Sequence, residues 1–217
     1  MPDEKKTEDK TPGGLAGIVP TAYYDLIARV CPGVAFWVAL SFKSPLFGDF
    51  AATKDLSGAS LFILLLLSYL SGIVLTGFSW IWDRLCLFLL TRDATLSAQL
   101  GLPHKAKGFA AQWTQIGRKM DEVAKVSLDA GKTLVKGLAE VTLCENLLTG
   151  LIILAVLGLA SEAEWFYSPA DYPWQFAAAA VALFLSVAFR QMMFVGRVTL
   201  AHQLHCDSGS PTLSAAP

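Results

Sequence analysis

No Lys, Arg, Asp, Glu or His interrupts the stretch from Gly58 to Trp82, GASLFILLLLSYLSGIVLTGFSWIW. As a helix it covers about 37 Å at 1.5 Å per residue, more than the roughly 30 Å of hydrocarbon in a bilayer. Charge is scarce in the whole chain, at 16% of residues against 54% apolar, and mean hydropathy is +0.49. A chain of 217 residues with several such runs has no room for a large water-soluble domain. The fold class expected is all-α, an integral membrane four-helix bundle.

Other absences exclude activities. The four cysteines, Cys31, Cys86, Cys144 and Cys206, show no CxxC spacing, so neither a disulfide framework nor a zinc ribbon is expected. His202, His205 and Cys206 fall within one helical turn, but no fourth ligand stands near them to complete a tetrahedral site, and no metal is expected. GxxxxGK[ST], GxSxG, HExxH and paired-carboxylate signatures are all missing, which leaves no catalytic residue, enzyme activity or cofactor to assign. A net charge of -1 argues against a nucleic-acid partner. The opening MPDEKKTEDKTPGG lacks the apolar core and cleavage site of a secretory signal, and residues 1–20 read as a disordered cytosolic tail.

What is present is a set of apolar runs. Residues 21–82 hold the first two spans, 83–140 a cytosolic helical hairpin that extends spans two and three, 141–200 the last two spans, and 201–217 a C-terminal tail. The first run, Leu26 to Phe42, carries Arg29 and the Pro32 and Gly33 pair. Proline removes a backbone donor, so this helix should be bent and packed where a neighbour re-satisfies the freed carbonyl; a surface-lying first helix, giving three spans, is the alternative. In the second span Ser60, Ser68, Gly72 and Thr76 lie multiples of four apart, forming a small-residue stripe for close helix packing or, in the rival reading, a pore lining.

From Asp83 onward charged and apolar residues mix. DRLCLFLLTRD continues the second span along the interface, and SAQLGLPHKAKG, from Ser97 to Gly108, carries turn signals. Phe109, Trp113, Ile116, Met120 and Val123 then recur at alternating four and three, and the register runs on through Ser127, Ala130, Leu134 and Gly137 to Val141. That heptad spacing predicts a coiled-coil seam through which the chain assembles with itself or a partner. The lysines of this segment, including Lys105, Lys107, Lys125 and Lys132, suit anionic lipid heads.

The third span, from about Val141 to Ala160, contains Glu145; the fourth, from about Trp174 to Phe189, carries Ala178, Ala182, Ser186 and Arg190 four apart. Lys and Arg number four before the first loop, two in that loop, nine between spans two and three, none in the third loop and two after span four. The positive-inside rule then places both termini in the cytosol. Arg29, Glu145 and Arg190 gather at the cytosolic boundary in this topology, with Glu145 and Arg190 expected to pair between helices. Such a cluster is a gate or ion ring in one reading and a set of snorkelling charges in the other.

The stretch PTAYYDLIARVCPG, Pro20 to Gly33, resembles the opening of small multi-pass bacterial membrane proteins of uncharacterised function that begin YDLIAR and place Pro-Gly in the first helix. The resemblance implies a bacterial inner membrane and no activity. Together these features point to a non-enzymatic scaffold or membrane subunit of a larger system. The alternative is a small oligomeric channel or pore-forming effector, and third comes a transporter using Glu145, which lies near the membrane edge instead of the midplane where substrate sites are expected.

Overall fold

The computed structural model describes residues 15–41, 58–92, 94–100, 109–160 and 172–207. The turn at Ser97–Gly108 lies largely outside them, as do the first and third loops, residues 1–14, Lys105, Lys107 and residues 208–217. Every described element is helical: α1 Leu15–Ser41, α2 Gly58–Arg92, α3 Ala94–Gln99, α4 Phe109–Val126, α5 Leu128–Ala160 and α6 Pro173–His202, which runs on into a wider turn at Gln203–Asp207. α1, α2, α5 and α6 are each long and apolar enough to cross a membrane.

Two boundaries move. α1 starts at Leu15, inside the expected tail, and α6 with its terminal turn continues through Asp207, into the expected C-terminal tail. α1 also passes through Pro32 without ending. The carbonyl that Pro32 deprives of its donor is that of Ala28, four residues earlier. Asn146 of α5 supplies the replacement, its Nδ2 donating to Ala28 O at 3.1 Å.

α1 and α2 cross with backbones almost touching. A Cβ on Gly33 would stand 1.8 Å from the Ser68 carbonyl oxygen, and one on Gly72 would stand 2.1 Å from that of Arg29. Only glycine permits this approach, and in lipid, where apolar burial no longer drives association, close backbone packing is a main source of helix affinity. Trp37 Nε1 adds a hydrogen bond to Ser71 Oγ at 2.8 Å.

The second spanning helix runs on past Trp82 to Arg92 and α5 begins at Leu128, ahead of Val141, with α4 between them in the chain. The seam from Phe109 to Val141 is not one continuous helix, because the chain turns back at Ser127. The Ser127 N–H closes α4 on Val123 O at 2.8 Å, and the Gly131 N–H donates to Ser127 O at 3.0 Å. Ser127 Oγ accepts from the Ala130 N–H at 3.3 Å, an N-cap to α5. Gly131 then sits so close that an added Cβ would be 2.9 Å from Ala124 Cβ, whereas residues seven apart in a straight helix are separated by about 10 Å.

The two halves of the heptad pattern consequently face each other inside one chain. Ile116 and Val123 of α4 and Leu134 and Val141 of α5 share a buried core with Leu87 and Leu90 of α2, Leu100, and Phe194, Val195 and Val198 of α6. A second, smaller core joins Cys86, Leu148 and Val187. Nearby, Trp82 Nε1 donates to Thr149 Oγ1 at 2.9 Å.

Candidate functional site

Where the two cores meet, the interior turns polar. Glu145 is 2% exposed and Asn146 and Gln191 are fully buried. Buried polar and ionisable groups inside a membrane bundle are costly and usually mark function or specific helix pairing.

α5 carries Glu145 and Asn146 as neighbours, about 100° apart around the helix, so the two side chains meet different partners. Asn146 Nδ2 turns to α1 at Ala28 O and also donates to Thr76 Oγ1 of α2 at 2.9 Å. Thr76 Oγ1 in turn donates to Gly72 O at 2.8 Å. Glu145 turns to α2, where its carboxyl lies beside Asp83 and Ser79. Asp83 also accepts a hydrogen bond from Gln191 Nε2 of α6. Three spanning helices therefore each contribute a polar side chain to one cluster, and Glu145 Oε1 within it accepts no hydrogen bond.

The cluster borders a cavity of about 410 Å³ between α1, α2, α4 and α5, lined by Tyr24, Arg29, Trp80, Asp83, Trp113 and Glu145 among others. Arg29 NH2 there binds Asp25 Oδ1 at 2.9 Å.

Of the three charged residues expected together, Arg190 stands apart. Arg190 pairs with Glu140, NH1 to Oε2 at 2.6 Å, and not with Glu145. The cause is depth: Glu145 lies more than one helical turn further along α5 than Glu140 and is buried, whereas Arg190 remains exposed. Arg29 and Glu145 do share the cavity wall. In the small-residue stripe, Ser68 is buried and Gly72 lies against the α1 backbone, while Ser60 is half-buried near the start of α2.

Of the assembly seam, Ile116 and Val123 are buried, Trp113 and Met120 pack against the same core, and Phe109 opens α4 with its side chain outside the described residues. Trp113 stands tilted against Phe194, ring centroids 6.5 Å apart. The seam is thus occupied within the chain. His202 Nε2 lies 2.7 Å from Glu122 Oε2 of α4, tying the end of α6 to α4, and His205 is exposed.

Sequence reading missed Asn146 and Gln191, and it missed Asp83 as a partner of Glu145. The available signal was an amide well inside each of two apolar helices, since such residues often bond across helices in lipid.

No protein-family model, curated protein or solved structure matches this chain.

Proposed function

We propose that the protein is a non-enzymatic integral membrane component, a scaffold or membrane subunit that presents a rigid helical platform outside the bilayer to a second copy or a protein partner. One observation carries this reading: the spanning helices are too long for the lipid, and their surplus shares one core with α4. α2 has 35 residues, α5 has 33 and α6 has 30, or about 52, 50 and 45 Å against roughly 30 Å of hydrocarbon. Tilt absorbs part of the excess. The rest is capped by α4, whose Ile116 and Val123 are buried and whose Arg118, Asp121 and Lys125 are exposed.

Basic residues concentrate on this platform, with Arg118, Lys119, Lys125, Lys132, Lys136 and Arg197, so the positive-inside rule puts it in the cytosol, in a bacterial inner membrane by the resemblance of Pro20–Gly33. Its lysines near the membrane suit anionic lipid heads. A partner would meet the outer, charged face of α4, since its apolar face is already covered. A pore lined by Ser60, Ser68, Gly72 and Thr76 has less support, because Ser68 and Gly72 lie against α1.

The test is lysine-directed crosslinking in native membranes, followed by the mass of the detergent-solubilised particle. The expected result is a particle heavier than the 23.4 kDa chain with crosslinks at Lys119 or Lys125. A detergent-corrected monomer with no crosslinked neighbour in the membrane defeats the reading.

A further inference from the structure

We propose that the cavity between α1, α2, α4 and α5 binds an organic monocation, an ammonium group on an apolar body, with the charge held against Glu145 and Asp83. This site is independent of the platform role and survives or fails separately from it.

Size is the first argument: about 410 Å³ falls within the range of small-molecule sites, roughly 300 to 1,000 Å³. The second is Glu145 itself, 2% exposed, bordering the cavity and with Oε1 lacking any hydrogen-bond partner. A buried acceptor left open costs free energy unless something fills it. An ammonium supplies the missing donor, or its charge in the quaternary case.

The walls define the rest of the ligand. Tyr24, Trp80 and Trp113 offer aromatic surface, which attracts cations through the ring quadrupole, and Ala28, Leu138 and Val141 add apolar surface. The charge balance has the matching sign. Asp25, Asp83 and Glu145 line the cavity against Arg29 as its cation; one terminal nitrogen of Arg29 is paired with Asp25 while its Nε lacks a partner, and Asp83 and Glu145, side by side, hold one negative charge between them. A small inorganic ion would find few of its oxygen ligands among these walls, since Ca²⁺ takes about six to eight, whereas an alkyl or aryl ammonium matches both the acid end and the apolar end.

The full-length protein, purified in a neutral detergent, is titrated calorimetrically with benzyltrimethylammonium. The expected result is saturable binding of one probe per chain, weakened at least tenfold by Glu145→Gln and severalfold by Trp113→Leu. Glu140→Gln, outside the cavity, leaves it unchanged. Neopentylbenzene, the uncharged carbon isostere, does not compete; this comparison needs only the unmodified protein and stands even where a variant fails to fold.

Native mass spectrometry distinguishes sources of the ammonium. A co-purified lipid amine displaced by the probe assigns the site to a headgroup, and an empty site that fills with probe assigns it to a free cation, either result supporting the proposal. Absence of saturable binding, equal competition by the neutral isostere, or full affinity in Glu145→Gln overturns it.

Discussion

Asn146 donates a hydrogen bond to the Ala28 carbonyl at 3.1 Å, and that carbonyl is the one Pro32 leaves without its helical donor. A proline that would break a helix in lipid is accommodated because an amide on another span completes the ladder. Sequence-distant residues thereby fix both the depth and the rotation of α1 against α5.

Asn146→Leu should therefore destabilise the protein by about 1 to 3 kcal/mol, the usual cost of leaving a buried acceptor unmatched. Pro32→Ala restores an N–H at the right position, so Asn146→Leu should cost less in that background. Thermal unfolding of the four proteins in one detergent measures the coupling. Strictly additive losses would mean that Asn146 and Pro32 act separately, leaving the Thr76 bond as the amide's main contribution.

Gly72 and Gly77 lie one turn apart or so on α2 and should respond in opposite ways. A Cβ at Gly72 meets the Arg29 backbone at 2.1 Å, while one at Gly77 meets nothing within 4 Å. Gly72→Ala should force α1 from α2 and lower Tm strongly, whereas Gly77→Ala should be neutral or gain up to about 1 kcal/mol from helix propensity. Equal effects at the two positions would contradict the close crossing.

Arg190 and Glu140 form a half-exposed pair, with side-chain exposures of 44% and 37%. Such pairs contribute about 0.2 to 1 kcal/mol, so Arg190→Gln and Glu140→Gln should each have small effects. A double-mutant cycle should find coupling between these two residues and none between Arg190 and Glu145. Coupling to Glu145 instead would restore the pairing expected from sequence.

Ile116→Ala removes a side chain that is 4% exposed within the shared core, and should cost about 2 to 5 kcal/mol. Because that core joins α4 to α2, α5 and α6, the loss should appear as lower Tm and faster proteolysis in α4, before any change in particle mass. A particle that dissociates while the chain keeps its Tm would place Ile116 in an intermolecular seam.

The sequence by itself determined the class of structure, because several long apolar runs leave the backbone only a helical way to satisfy itself in lipid. It also determined that Pro32 needs a neighbour and that Ser68 and Gly72 suit a close contact, since both follow from missing atoms. Which neighbour answers Pro32 was decided by tertiary structure: nothing within α1 points to Asn146, 118 positions further along.

The heptad from Phe109 to Val141 shows the same limit. Its spacing defines an apolar stripe, but a stripe is satisfied equally by another chain or by its own second half. The turn at Ser127, permitted by the missing Cβ of Gly131, chose the second. Glu145 was legible as an unusual charge in an apolar helix, whereas its meeting with Asp83 instead of Arg190 depends on helix rotation and depth, quantities that only the packed bundle supplies.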